Sequence, residues 1–371
     1  MASVVILHFS PLELYPPVMN FMESVISSPS KDNWIVVSTR SDLSMGAFDI
    51  AHPRIRVYRF GRSGNSLGRW SRAAGYFTFY LMSFFVLIRF RPKAVLYFET
   101  LSSFPVFLYR RLLGFSTCIY VHYHEYISRD EYRNASGFFR WLKRAEKKMF
   151  PLVSWISHTN ATRLEMFLND EGMIDFTGGR VMPNYPPERW RVGFSKDDLS
   201  SPLRIVYAGA LSLDSMYVKE FGIWVISQQG RVVWDIYSWE PEITAINFLR
   251  GLQTEWIKVC EPVVYGRLHE VLREYDVGVI LYKGHIPNYI WNVPNKLYEY
   301  HINGLDVWFP DVMKGSLPLA SGNSYPKIIP VAFDDLSSFD WLSAIDRSHQ
   351  IFKINPWHSE LSYSDLLRDI G

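Results

Sequence analysis

The stretch Tyr282-Lys-Gly-His-Ile-Pro-Asn-Tyr-Ile-Trp-Asn-Val-Pro-Asn-Lys-Leu-Tyr-Glu-Tyr-His-Ile-Asn-Gly304 constrains this chain more than any other. It follows directly on Asp276-Val-Gly-Val-Ile-Leu-Tyr282, a short apolar run expected of a parallel strand buried on both faces. Within it, Leu297, Tyr300 and His301 recur at helical spacing, and Gly304 stands where a helix would stop. Pro294 suits the helix entrance, where its missing N–H would have had no partner. A strand, a loop and a helix are predicted, with Asn295 and Lys296 at the helix mouth.

Unpaired backbone N–H groups and the positive end of the helix dipole converge at such a mouth. Lys296 adds a mobile cation suited to phosphate. Glu299, one turn further in, can accept hydrogen bonds from a pair of vicinal hydroxyls. These are the parts of a nucleoside-diphosphate site: phosphates on the helix mouth, ribose on the carboxylate. The competing reading is a capped surface helix whose lysine and glutamate are solvated.

Pro294-Asn-Lys-Leu-Tyr-Glu-Tyr300, followed by Asn303-Gly-Leu-Asp-Val307, resembles the "P-N-K-L-x-E-Y-x-x-x-G-x-P-V" signature of bacterial glycosyltransferases. The match is to GT-B enzymes similar to carbohydrate-active family 4. The resemblance implies an α/β fold of two Rossmann-like, doubly wound domains facing a cleft, with a C-terminal helix crossing back to the first. It also implies that Glu299 holds the donor ribose.

At 371 residues the chain exceeds the usual single core, and 48% hydrophobic against 20% charged residues supplies enough apolar surface for two. The boundaries expected are 1–185 for an acceptor domain, 186–352 for a donor domain and 353–371 for the returning segment. Cys118 and Cys260 are far apart in apolar surroundings and read as buried free thiols. The N-terminus lacks the basic region and long apolar core of a signal peptide, so a cytoplasmic location is expected. The sequons at Asn134 and Asn160 then read as chance matches.

Val4–Leu7, a helix through Met19, Met22, Val25 and Ile26, and Trp34–Ser38 read as the strand–helix–strand opening of a doubly wound domain. The loop between lacks G-x-G-x-x-G and is no dinucleotide fingerprint; its Tyr15-Pro-Pro17 is common in the resembled enzymes. Residues 50 to 98 hold no acid but nine cations, from Arg54 to Lys93. Among them lie sixteen uncharged residues, 73–88, about 24 Å of helix and short of the ~30 Å core of a bilayer. That leaves a core helix of the first domain, or a partly exposed helix docking with its arginines on an anionic membrane surface. Peripheral membrane contact through residues 54–93, on the inner face of the cell membrane, is the expected partner interaction; no nucleic-acid binding is expected.

Lys93–Phe98 and Cys118–Tyr126 read as further strands, the latter ending in His124-Glu125, which resembles the "Y-D-x-H-E" strand end of similar glycosyltransferases. His124 and Glu125 are therefore candidates for acceptor contact or proton handling; a hydrogen-bonded histidine at a sheet edge is the bland alternative. Residues 138–149 form an amphipathic helix whose Arg140, Lys143, Arg144, Lys147 and Lys148 read as a solvated face. Val181-Met-Pro-Asn-Tyr-Pro-Pro187 reads as a rigid linker.

In the second half, Leu203–Leu211 is a strand running into a tight loop, where Gly209 allows close approach to an anion. The resemblance places an arginine at the position of Ala210, and Lys219 lies too far along to serve as its lysine partner. Val263–Leu268 reads as a strand-to-loop turn resembling the base-contacting segment, with Gly266 and Arg267, and Leu268–Tyr275 as a helix. Trp291 stands where the resembled enzymes carry a glutamate; it reads as a pyranose-stacking wall or as core.

No D-x-D occurs in the chain. Stabilisation of the departing diphosphate is expected from the helix mouth, Lys296 and the amides of Gly209, Ala210 and Leu211, without metal or bound cofactor. The expected activity is transfer of a sugar from a nucleotide sugar, UDP ahead of GDP, to a lipid-linked bacterial glycan. The resemblance implies retention of configuration. The alternatives are a GT-B nucleotide-sugar epimerase and a non-catalytic nucleotide-sugar-binding protein.

Overall fold

Strand-forming runs alternate with helices throughout, so each strand must reach its parallel neighbour through a crossover. The computed structural model describes residues 3–41, 50–64, 67–114, 116–193, 199–239, 241–348 and 350–370. Met1 and Ala2 of the N-terminal segment, and Asn65 and Ser66 within 54–93, lie outside them. The chain forms two units, Met1–Asn184 with Ser359–Gly371, and Tyr185–His358.

The first unit carries β1 (Ser3–His8), β2 (Asn33–Ser41), β3 (Ile55–Ser63), β4 (Ala94–Phe98), β5 (Cys118–Tyr123), β6 (Trp155–His158) and β7 (Gly179–Val181). Their order is β3-β2-β1-β4-β5-β6-β7, all parallel, so the direction of winding switches between β1 and β4. The second unit carries β8 (Leu203–Ala208), β9 (Val232–Tyr237), β10 (Ile257–Cys260), β11 (Val277–Val279), β12 (Asp306–Pro310), β13 (Ser324–Tyr325), β14 (Ile328–Val331) and β15 (Ile351–Phe352). Six of these form a parallel sheet in the order β10-β9-β8-β11-β12-β14, with its switch between β8 and β11; β13 pairs with β15 apart. Ligands bind outside the carboxyl ends of strands at such switch points.

The last residues belong to the first unit. Tyr363 is fully buried, donates its hydroxyl to the Pro17 carbonyl at 3.2 Å, and sets its ring edge-on to Phe21 at 5.0 Å. Ser24 and Ser359 are joined at 3.2 Å.

Four expectations need correction. The apolar helix runs Arg69–Phe90, 22 residues and about 33 Å, long enough and apolar enough to cross a membrane. The count of uncharged residues missed this because arginines at both ends continue the helix. One face is buried through Phe79, Tyr80, Ser83, Val86 and Leu87. Gly75 lets β3 cross closely, since a Cβ on it would sit 2.3 Å from the Arg62 carbonyl oxygen of that strand. The opposite face leaves Trp70, Phe77, Leu81 and Phe85 exposed. Second, Lys143 does not lie on a solvated face: it is buried between Glu146 and Glu171. Third, neither free cysteine is buried; Cys118 is exposed and Cys260 partly so. Last, the helix after β10 begins at Tyr265, so Gly266 and Arg267 lie in its first turn rather than in a strand-to-loop turn.

Candidate functional site

The helix leading into β12 spans Asn295–Ile302 and starts at Pro294. It ends as the sequence predicts: Gly304 takes φ +83°, its N–H reaches the His301 carbonyl, and the Leu305 N–H reaches that of Tyr300, both at 3.1 Å. This is the paired bonding of a glycine stop. Tyr300 pins the helix to the sheet. Its ring lies where a side chain on Gly278 of β11 would be, and its hydroxyl accepts the Ala208 N–H at 2.9 Å.

This seating carries Lys296 to the end of β8. Gly209 has φ +144°, and a Cβ there would fall 2.5 Å from Lys296 Nζ. Residues 87 positions apart are thus brought together at the β8–β11 switch point. The lysine nitrogen also lies 5.6 Å from the ring of Tyr207 and 5.8 Å from that of Tyr282. Burial opposes the ammonium charge, but Tyr282, Tyr207 and Glu299 more than offset it, so the Lys296 pKa lies above its ordinary value.

Glu299 is buried, which removes the reading of a solvated surface helix. Burial raises its pKa to about 7, against the pull of the Lys296 charge and a hydrogen bond with Tyr265. A carboxyl pushed toward its neutral form by burial, a cation, and the first amides of a helix, those of Asn295 and Lys296, therefore share one strand edge. The arrangement suits an anionic group bearing neighbouring hydroxyls.

The other predicted residues are placed as follows. The Gly209 N–H is committed to the Tyr237 carbonyl at 2.9 Å, so this amide is not available to a ligand. The glycine contributes close approach instead. Ala210 is exposed, with its carbonyl taken by the Tyr207 hydroxyl at 2.5 Å. Leu211 is buried in the core of the second unit. Arg267 is exposed and paired with Glu270 on its own helix at 3.1 Å. Gly266 is exposed beside it. Trp291 is half-buried, with Lys314 Nζ 5.9 Å from its ring. Lys219 is exposed, whereas Lys283 bonds Glu220 at 3.2 Å.

In the first unit, His124 is buried just beyond β5, with Nδ1 donating to Asn184 Oδ1 at 3.0 Å. Burial, then the neighbouring imidazoles of His122 and His8, hold its pKa well below the ordinary value. A neutral ring favours hydrogen bonding over proton uptake. Glu125 beside it is exposed.

Three residues escaped the sequence reading: Tyr207 and Tyr282, which flank Lys296, and Tyr265, which bonds Glu299. Tyr282 and Tyr265 border segments already singled out, yet the spacing of a tyrosine does not reveal which charge its hydroxyl meets.

No protein-family model and no curated protein matches the sequence. Among solved structures, a sucrose-phosphate synthase from Thermosynechococcus elongatus has TM-score 0.69 at 11% identity, covering 100% of this chain and 99% of its own. The lipopolysaccharide outer core galactosyltransferase WaaB has TM-score 0.61 at 13% identity, covering 99% of each chain. A UDP-GlcNAc 2-epimerase from Neisseria meningitidis, solved bound to UDP-GlcNAc, has TM-score 0.55 at 10% identity, covering 100% and 99%. With its two parallel-sheet α/β units, the chain has the GT-B fold shared by these glycosyltransferases and epimerases.

Proposed function

We propose that the protein is a metal-independent, retaining glycosyltransferase that moves a sugar from a UDP-sugar to a lipid-linked glycan of a bacterial surface polysaccharide. The observation that carries this is Lys296 against Gly209 at the β8–β11 switch, with Glu299 one turn behind. Lys296 and the helix mouth balance the charge that grows on the diphosphate as the glycosidic bond breaks. Glu299 and Tyr265 take the ribose hydroxyls. Retention rests on the resemblance of the 294–307 segment, and UDP is favoured by the UDP-GlcNAc bound in a protein of the same fold.

The test is calorimetric titration with UDP and GDP, with and without EDTA. UDP is expected to bind at micromolar strength regardless of EDTA, and binding is expected to disappear in Lys296→Ala. Glu299→Ala should weaken it by roughly 1.5–3 kcal/mol. Ribose hydroxyls donate to the ionised carboxylate, so affinity should rise with pH through the Glu299 value of about 7. From pH 6 to 8 the ionised fraction grows roughly tenfold, and affinity should follow. Glu299→Gln should abolish this gain, leaving only the slope of the nucleotide's own phosphate. UDP affinity untouched by Lys296→Ala and Glu299→Ala would remove the site. The epimerases of the same fold supply the second reading: release of a 2-epimer from UDP-GlcNAc without acceptor would favour it.

Peripheral contact with the cytoplasmic face of the membrane is part of this proposal, and the helix Arg69–Phe90 supports it. Trp70, Phe77, Leu81 and Phe85 form one exposed stripe on it, and Arg69, Arg72 and Arg89 are exposed with them. Such a helix lies in the interface of an anionic bilayer. The protein should sediment with phosphatidylglycerol vesicles, and Phe77→Ser with Phe85→Ser should release most of it. Equal sedimentation of wild type and the double variant would exclude this face.

A further inference from the structure

A pocket of about 460 Å³ opens among three helices of the first unit, Arg129–Asn134, Gly137–Lys147 and Ala161–Glu171. Its volume falls in the range of small-ligand sites, about 300–1,000 Å³. Four cations line it, Arg129, Arg133, Lys143 and Lys147, with the carboxylates of Asp170 and Glu171. It shares no residue with the Lys296–Glu299 site. Local sequence builds its walls. Ser128 starts the first helix with a reciprocal cap: its hydroxyl accepts the Glu131 N–H at 3.3 Å, and the Glu131 carboxylate accepts the Ser128 N–H at 2.9 Å. Arg129 and Arg133, four residues apart, then share one helix face. Gly172, at φ +69°, ends the third helix, and Arg129 closes the carbonyls left open there. Its Nε donates to Asp170 O at 2.7 Å and its Nη2 to Asn169 O at 3.0 Å.

The carboxylates are engaged with the protein. Asp170 accepts the Tyr126 hydroxyl at 2.6 Å and faces Arg129 at 3.4 Å. Glu171, 4% exposed, holds Lys143 at 3.3 Å and Lys147 at 2.7 Å. Glu146 is fully buried against Lys143, and the exposed Asp130 takes Nη1 of Arg133 at 3.0 Å. The cations, by contrast, keep donors open. A guanidinium carries five N–H groups and an ammonium three. Among the described residues, Nη1 of Arg129 and Nε and Nη2 of Arg133 meet no acceptor, and Lys147 meets Glu171 alone. These three side chains are 57%, 75% and 49% exposed, so their open donors are within reach of a ligand. The helix Gly137–Lys147 adds a second observation. Arg140, Arg144 and Lys148 follow one another at four-residue spacing, all exposed, and the one acid among residues 137–148 is the buried Glu146. Like charges at this spacing weaken a helix. Arg140 donates to the Arg133 carbonyl at 3.1 Å, which brings this cationic row to the pocket. Its field favours an anion there.

We propose that this pocket binds a phosphate monoester, held by Arg133 and Lys147 with Arg129 Nη1 completing the cradle. A tetrahedral dianion accepts donors from several sides at once, and guanidinium forks and ammonium groups are its usual partners. A cation would meet the open ends of like charges, and an apolar ligand would meet ionic walls. The phosphate has two possible sources, a lipid headgroup and a soluble ester. Phe138 and Trp141, on the helix that carries Lys143 and Lys147, are exposed, and Tyr76 of the helix Arg69–Phe90 lies 5.1 Å from Phe138. A bilayer held by the apolar stripe of that helix would therefore adjoin the pocket. The site stands independently of the nucleotide reading.

Phosphorus NMR of glycerol 3-phosphate with the full chain at low salt tests the pocket. Line broadening is expected in the wild type and in Lys296→Ala, which removes the cation of the nucleotide site. Affinity should fall roughly tenfold or more in the double variant Arg133→Gln, Lys147→Gln, the loss of charge-assisted contacts. Arg133→Glu should do the same, and it leaves the buried Lys143–Glu171 pair in place should the double variant not fold. Arg250→Gln with Lys258→Gln, exposed cations of the second unit, should leave the broadening unchanged. No broadening in the wild type, or equal broadening in the wild type and Arg133→Glu, overturns the proposal. Loss in Lys296→Ala, or an equal loss in the second-unit control, overturns it too, since the phosphate would then sit elsewhere. Sedimentation with phosphatidic acid vesicles separates the sources, and either result supports the pocket. Weaker sedimentation of Arg133→Glu, with competition by glycerol 3-phosphate, assigns the lipid headgroup; unchanged sedimentation beside lost broadening assigns the soluble ester. Failure of UDP to bind would count against the nucleotide site alone and leaves these readouts as they are.

Discussion

Lys143→Met should lower the folding stability of the first unit by about 3–5 kcal/mol, the usual effect of removing one member of a buried ionic group. Lys143 Nζ lies 3.2 Å from Glu146 and 3.3 Å from Glu171, and the three side chains are 5%, 0% and 4% exposed. Glu146 also accepts from Thr100 at 2.9 Å and Tyr123 at 2.7 Å, so it is held in place as an acceptor. The rings of Tyr123, Tyr132, Phe150 and Phe167 surround the ammonium at 4.9–5.3 Å. Burial disfavours this charge, yet Glu146, Tyr132 and Glu171 together raise the lysine pKa above its ordinary value. Methionine fills much the same volume, so the variant isolates the charge from the packing. Without the lysine, Glu146 is left buried without its cation, and Glu171 keeps Lys147, at 2.7 Å. Urea unfolding of both proteins measures the difference. A loss under about 1 kcal/mol would mean that the group behaves as a surface pair.

Gly209→Ala is the second large expected effect, and it acts on binding. A methyl group here meets the Lys296 amine and asks for φ +144°, which a residue with a Cβ avoids. The lysine must leave the strand edge, or the loop must shift. Loss of one charge-assisted contact corresponds to about 1.5–3 kcal/mol, roughly 10- to 150-fold in Kd for UDP. The strained backbone adds a stability loss of about 1–3 kcal/mol, readable by thermal unfolding. Wild-type affinity in a folded Gly209→Ala protein would dissociate Lys296 from the nucleotide.

The two cases differ in how far the sequence anticipated them. Gly209, Lys296 and Glu299 were all legible, because a glycine after a strand and a proline-started helix are local signals. Their meeting was not, since it depends on Tyr300 seating the helix on Gly278. Lys143 was misread outright. A helix with five cations looks solvated when only its own residues are counted, and Glu171 lies 28 positions away.

What the sequence by itself determined is the strands β1, β2, β4, β5, β8 and β11, the helix after β1 and the bounds of the 295–302 helix, whereas β3, β7, β10, β12 and β14 were not read from it. Each follows from periodicity, from proline at an entrance and from glycine at an exit, all settled within a few residues. Tertiary structure alone decided which charges are buried, that both cysteines escape the core, and which face of the 69–90 helix stays bare. It also decided that Lys296 reaches Gly209. Burial and contact are sums over neighbours distant in the chain, and no local pattern records which neighbours those will be.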